Sequence, residues 1–143
     1  MNRQDAKFAK TAKAARTEPD SLTDELAHKV IGAALEVHRH LGPGYLEGVY
    51  EEDLAIEFGF RGIPYERQKM IAVDYKGRDI GQGRVDFVVG ETLVVELKAV
   101  DSLLPIHTAQ VISYLKAFGR VLGLLINFNV PALRAGIQRV VLS

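Results

Sequence analysis

The sequence contains no cysteine. That absence excludes disulfides, thiolate zinc sites, iron–sulfur clusters and a cysteine nucleophile, and it fits a reducing compartment. A surplus of charge is also absent, because 18 basic side chains balance 18 acidic ones. This balance argues against a strongly basic nucleic-acid coat protein and against a polybasic membrane binder. No apolar run reaches the roughly 18 residues of a membrane span, and the charged N-terminus lacks a signal peptide's apolar centre. We therefore expect a cytoplasmic protein with no membrane partner.

Length and composition favour one folded domain that follows a charged arm. The chain has 143 residues, and 48% of them are apolar, which is enough for a core of normal size. Residues 1–20 are rich in Lys and Arg and contain few large apolar side chains. Their burial cannot offset the entropy that ordering would cost. We interpret 1–20 as a flexible basic arm and 21–143 as a single domain.

The spacing of apolar residues predicts an α/β (α+β) fold, with helices before a sheet and one crossover helix late in it. Ser21 or Thr23 is the expected N-cap of the first helix, and Gly59 is the expected end of the second. Three histidines, at positions 28, 38 and 40, are expected on the surface. The predicted helices cover 21–41, 47–58 and 105–118, and the predicted strands cover 65–74, 80–89, 93–98, 121–128 and 137–142.

Three charged residues lie inside apolar strands. Asp86 interrupts one strand, and Glu96 and Lys98 interrupt the next. Glu96 and Lys98 point to the same face because side chains alternate along a strand, and a hairpin would make Asp86 and Glu96 cross-strand neighbours. Paired carboxylates suit Mg²⁺, and an adjacent ammonium group can activate water or stabilise phosphate charge. The alternative is structural: a Glu96–Lys98 ion pair at a strand end, with Asp86 paired to Arg84.

Polar residues on two helices can join this group. Gln110 and Tyr114 lie one turn apart on the predicted helix 105–118, and they offer an amide and a phenol. Glu47 and Glu51 lie near the start of the second helix, where Glu47 can supply a third carboxylate. The alternative is a solvated helix face for the two glutamates and a packing role for Tyr50 and Tyr114.

Together these residues resemble a known family. The string from Gly44 through Glu47 to Tyr50 matches the signature of the GxxExxY proteins, which are small prokaryotic members of the PD-(D/E)XK nuclease-like superfamily. The match continues through the strand motifs around Asp86 and Glu96 and the later Leu-Gly-Leu-Leu-Ile-Asn127-Phe string. It covers about residues 22–142. The resemblance implies a restriction-endonuclease-like core, which is a mixed four-stranded β-sheet flanked by helices.

The resemblance also implies catalytic roles for particular residues. It implies that Asp86 and Glu96 hold Mg²⁺ or Mn²⁺, that Glu47 is the first-helix acid and a third metal ligand, and that Lys98 assists the attacking water. The Gln-x-x-x-Tyr motif of the RecB-type branch is similar to Gln110 and Tyr114, which implies that both support the catalytic site and help position nucleic acid. The sequence departs from the founding motif at Val85, which stands where that motif has proline.

The expected substrate is nucleic acid, with DNA favoured over RNA. Basic side chains outnumber acidic ones between residues 61 and 84, so we expect Arg67, Lys69, Arg78 and Arg84 to contact phosphates. A solvated strand face is the alternative for these residues. The leading hypothesis is a Mg²⁺-dependent nuclease. Its main rival is a non-catalytic nucleic-acid-binding or protein-interaction module on the same fold, and a further hypothesis is a homodimer built through a sheet edge or the first helix.

Overall fold

Helices pack on both faces of one mixed β-sheet in the computed structural model, which describes residues 19–142. Residues 1–18 of the predicted arm, and Ser143, lie outside the described residues. The elements in chain order are α1 (Ser21–Leu41), α2 (Glu47–Arg61), β1 (Tyr65–Tyr75), β2 (Arg78–Val89), β3 (Leu93–Lys98), α3 (Pro105–Phe118), β4 (Leu122–Asn127), a 3₁₀ turn (Leu133–Gly136) and β5 (Ile137–Val141).

The helix ends differ from two expectations. Asp20 caps α1, because its side chain accepts a hydrogen bond from the Thr23 N–H at 2.7 Å. The Thr23 hydroxyl instead donates to Thr92 at 3.1 Å, so it links the helix to the turn before β3. Helix α2 continues past Gly59 and ends at Gly62, which has the left-handed conformation with φ of 67°. That φ favours glycine and explains why the later of the two glycines ends the helix.

The sheet has five strands in the order β1-β2-β3-β4-β5. Strands β3 and β4 are parallel and all other neighbours are antiparallel, with α3 as the crossover between the parallel pair. The α+β class and the mixed sheet flanked by helices are thus confirmed. The sheet has one strand more than the four that the resemblance implies.

Two apolar clusters hold the layers together, one on each face of the sheet. Helices α1 and α2 cover one face, around Phe58 and Phe87, and α3 covers the other through Val111 and Leu115. The expected surface position of His38 is wrong, since it is only 9% exposed and its Nε2 lies 2.8 Å from the Val130 carbonyl oxygen. None of the helices within 19–142 is both long enough and apolar enough to cross a membrane.

The β1–β2 hairpin extends beyond the rest of the sheet. The two strands pair from Tyr65–Val89 out to Tyr75–Arg78, whereas β2 pairs with β3 only over Phe87–Val89. The extended part lies against α3, where the Tyr114 ring would come within 2.8 Å of a Cβ at position 83. Gly83 therefore permits the close approach of the hairpin to α3.

Candidate functional site

Asp86 and Glu96 lie side by side where β2 and β3 separate. The last backbone pair before this point is Phe87–Val95. Beyond it, Glu96 Oε1 accepts the Asp86 N–H at 3.1 Å, and Asp86 Oδ2 accepts the Leu97 N–H at 2.8 Å. Each carboxylate thus satisfies a backbone donor that the strands no longer pair. The expected cross-strand proximity of the two acids is observed.

Burial makes the negative charge of this pair costly. Asp86 is 8% exposed and Glu96 is 6% exposed. Burial, together with the Asp86 carboxylate, raises the pKa of Glu96 to about 8. Burial also raises the pKa of Asp86, although hydrogen bonds from Leu97 and Gln68 favour its ionised form. Within residues 19–142 neither acid forms an ion pair, so the structural alternative with Arg84 and Lys98 as their partners is not observed.

Lys98 ends β3 on the face that α3 covers. Its Nζ donates to Gln110 Oε1 at 3.2 Å. Tyr114 lies one helical turn further along α3, where burial and the Glu96 charge raise its pKa. The structure therefore brings Gln110 and Tyr114 to the same site as Lys98 and Glu96.

Asn127 holds the chain where it leaves β3. Its side chain is 1% exposed and pairs with both backbone groups of Val100, accepting the N–H at 3.0 Å and donating to the carbonyl at 2.9 Å. Asn127 is also the parallel-strand partner of Lys98. This clamp fixes the backbone that carries the lysine.

Glu47 approaches the site from the first turn of α2. Burial and the negative charge of Asp86 raise the pKa of Glu47. Tyr50 anchors this end of the helix: its hydroxyl donates to the Gly42 carbonyl at 2.6 Å, and its ring stacks on Phe128 with centroids 4.6 Å apart. The packing alternative is therefore correct for Tyr50, which orients the turn that carries Glu47.

Two site residues were not expected from the sequence. Glu51 lies one turn after Glu47, and its side chain is only 12% exposed. Gln68 Nε2 donates to Glu51 Oε1 at 2.9 Å and to Asp86 Oδ1 at 3.1 Å, so it bridges α2 and β2. The i, i+4 spacing of the two glutamates was a usable signal for Glu51. Gln68 carried no such signal, because its role depends on the pairing of β1 with β2.

A comparison with known proteins identifies the family. The sequence matches the PD-(D/E)XK nuclease superfamily over residues 24–140. The chain belongs to that superfamily. A solved alkaline exonuclease of Laribacter hongkongensis has a similar fold, with a TM-score of 0.51 and 13% sequence identity, over 90% of this chain and 73% of the exonuclease chain. No curated protein matches the sequence.

The four expected phosphate contacts of this PD-(D/E)XK protein differ in how their charges are engaged. The Arg67 guanidinium lies 3.0 Å from Glu51 and 3.2 Å from Glu52. Lys69 pairs with Glu66 at 3.4 Å. Arg78 and Arg84 are exposed on the hairpin, and neither forms an ion pair with another described residue.

The donor chemistry of the PD-(D/E)XK site fits a hard divalent cation. Asp86, Glu96 and Glu47 supply only oxygen atoms, and the first two are buried without a cationic partner among the described residues. Across residues 19–142, however, no three His, Cys, Asp or Glu side chains already converge as a metal site. Binding would therefore require these carboxylates to turn toward a common point and Glu96 to release its proton.

Proposed function

We propose that the protein is a Mg²⁺- or Mn²⁺-dependent nuclease that hydrolyses phosphodiester bonds in DNA, with RNA as the alternative substrate. The observation that carries the proposal is the buried Asp86–Glu96 pair, which lacks a cationic partner among the described residues and lies beside Lys98. Membership of the PD-(D/E)XK nuclease superfamily supports the same reaction class.

In this proposal Asp86, Glu96 and Glu47 hold the metal ion. When bound, the ion would polarise a phosphoryl oxygen and lower the pKa of a bound water. The carboxylates accept the ion because their own charge is poorly compensated, as the raised pKa of Glu96, about 8, indicates. Exclusion of water around Asp86 and Glu96 strengthens their attraction for a cation.

Lys98 acts on the reacting groups in this proposal. Its ammonium group can orient the attacking water and stabilise the negative charge that grows on the phosphate. Gln110 Oε1 accepts a hydrogen bond from the Lys98 Nζ at 3.2 Å, which restricts where the ammonium group points. Tyr114 lies one turn further along α3 and completes the polar face that α3 presents to Lys98 and Glu96.

Of the four basic residues expected to contact phosphates, we place Arg78 and Arg84 on the β1–β2 hairpin first. Arg78 and Arg84 are exposed and unpaired among the described residues, so contact with a phosphate costs them no existing ion pair. Arg67 and Lys69 must exchange an acidic partner for a phosphate, and we place them second. The similar fold of an alkaline exonuclease supports nucleic acid as the substrate and makes strand ends the first to test.

We further propose a narrower family, a cellular location and an oligomeric state for this protein. The Gly44–Tyr50 string supports membership of the prokaryotic GxxExxY proteins. The absence of cysteine supports a cytoplasmic location. A homodimer through a sheet edge or α1 is a further proposal, and light scattering that detects only monomer at high concentration would exclude it.

The test is cleavage of linear DNA, supercoiled DNA and RNA with Mg²⁺ or Mn²⁺. We expect the wild type to cut at least one substrate, and Asp86→Ala and Lys98→Ala to lower the rate by about 100-fold or more. Lys116→Ala, an exposed lysine on α3, is the matched control and should cut at the wild-type rate. The nuclease proposal fails if the wild type cuts none of the substrates or if both site variants cut as well as it does.

The main rival is a binding module without turnover. It is favoured by one observation: no three potential ligands converge within residues 19–142. Calorimetric titration with Mn²⁺ separates the two functions. No binding by the wild type would favour the module, and binding that Glu96→Ala abolishes would favour the nuclease.

A further inference from the structure

Gln68 has a backbone conformation that is unusual for its position. Its φ is 51°, in the left-handed region, although it lies within β1. The other described non-glycine residues with positive φ, Lys76 and Glu91, both lie in turns. This region is sterically unfavourable for a residue with a Cβ, and such backbone strain persists where the surrounding structure requires it.

The strain interrupts the strand pairing opposite Asp86. Residues on both sides of Gln68 pair normally, as Arg67–Phe87 and Lys69–Val85, but Gln68 and Asp86 do not. The unusual φ therefore affects one position of an otherwise regular register. That position faces the acid at the centre of the candidate site.

The side chain of Gln68 uses this conformation to contact two carboxylates. Its Nε2 donates to Asp86 Oδ1 at 3.1 Å and to Glu51 Oε1 at 2.9 Å. The other Asp86 oxygen, Oδ2, accepts the Leu97 N–H at 2.8 Å. Asp86 is thus held from two sides, by the backbone of β3 and by the amide of Gln68.

A neutral donor at this position leaves the charge of the site available. Among the described residues, Asp86 accepts hydrogen bonds but forms no ion pair. The cation next to Gln68, Arg67, instead pairs with Glu51, whose Oε2 lies 3.0 Å from the Arg67 guanidinium. A lysine or arginine at position 68 would place a cation where the metal ion is needed. An amide fixes the carboxylate without neutralising it.

We propose that Gln68 is a positioning residue that orients Asp86 for the metal ion, and that its strained backbone is retained for this purpose. The proposal rests on the nuclease function proposed above. Gln68 does not contact the reacting atoms in this scheme. It acts through Asp86 and Glu51, so its loss should weaken metal binding without unfolding the chain.

The test compares two glycine substitutions at positive φ. Gln68→Gly and Lys76→Gly both relieve a φ of 51°, but only the first removes the amide from the site. We expect metal-free Gln68→Gly to unfold at or above the wild-type temperature and to bind Mn²⁺ about 10–100-fold more weakly in calorimetry. Lys76→Gly should keep wild-type Mn²⁺ affinity.

A second variant guards against a folding defect. Gln68→Asn keeps an amide that tolerates the left-handed conformation, but it is one methylene shorter and cannot span both carboxylates. It should also lose Mn²⁺ affinity while remaining folded. Wild-type affinity in folded Gln68→Gly or Gln68→Asn would overturn the role of Gln68 and leave the nuclease proposal standing. A wild type that binds no Mn²⁺ would overturn both.

Discussion

The two faces of β3 differ sharply. Val95 and Leu97 point toward α1 and α2 and are fully buried in an apolar cluster. Glu96 and Lys98, the charged residues at the end of the strand, point toward α3. One backbone therefore serves two purposes: one face contributes apolar burial to stability, and the other holds a buried carboxylate whose ionised form opposes folding.

Neighbouring positions on this strand should therefore respond oppositely to substitution. Removing an apolar side chain should lower the free energy of unfolding and affect the chemistry only through loss of folded protein. Removing a charged one should affect metal binding or cleavage and cost little stability, or even increase it.

The largest effect on stability is expected at Leu97. Leu97→Ala removes a fully buried side chain from the cluster under α1 and α2, which should lower the free energy of unfolding by about 2–5 kcal/mol. Lys98→Ala, one residue further on, should change it by less than about 1 kcal/mol. Urea unfolding at neutral pH measures both. A loss at Lys98 as large as that at Leu97 would mean that the charged face also carries stability.

An intermediate effect is expected from pH in the metal-free protein. The pKa of the Glu96 carboxyl rises from 4.5 to about 8 in the folded state, so between those values the folded protein binds a proton that the unfolded chain has released. Stability should therefore be highest below about pH 4.5 as far as this group is concerned, fall as pH rises, and level off above about pH 8. The slope should approach about 1.4 kcal/mol per pH unit.

Glu96→Gln isolates this contribution. The variant should flatten the slope and be more stable than the wild type at pH 9, in thermal unfolding with a chelator present. Glu25→Gln, at an exposed position on α1, is the control and should keep the slope of the wild type. Wild-type stability that stays constant or rises between pH 5 and pH 8 would contradict the burial of a poorly compensated carboxylate at Glu96.

The contrast between the faces also explains what the sequence could predict. The bounds of β3 and α3 agree with the observed 93–98 and 105–118, because a continuous apolar run and a proline at the first helical position are strong local signals. The proximity of Asp86 and Glu96 followed from strand alternation and a short turn. These features depend on neighbours in sequence or on a single hairpin.

The remaining features depend on contacts that no local pattern encodes. Asp20 was a better cap than Ser21 because its side chain reaches the Thr23 N–H. Gln68 reaches Asp86 because β1 lies opposite that residue and because its backbone has a positive φ, and neither feature is visible in the sequence. The ion pairs of Arg67 likewise depend on the positions of Glu51 and Glu52 on α2.

The smallest effect is expected on the hairpin, where the charges of Arg84 and Arg67 differ in availability. Arg84 is exposed and has no acidic partner among the described residues, whereas Arg67 lies 3.0 Å from Glu51. Each phosphate contact contributes about 0.9 to the slope of log affinity against log salt on duplex DNA. Arg84→Ala should reduce that slope by about 1, and Arg67→Ala should leave it nearly unchanged.

Fluorescence anisotropy with a labelled duplex and a chelator measures the slope without cleavage. The comparison removes one positive charge in both variants, so a general effect of net charge cancels. A larger reduction from Arg67→Ala would show that Arg67 exchanges Glu51 for a phosphate when DNA binds. In that case Glu51 and Glu52 on α2 hold the Arg67 guanidinium near the site until DNA binds. Arg67 would then belong to the phosphate-binding residues of the hairpin as well as to the acidic site.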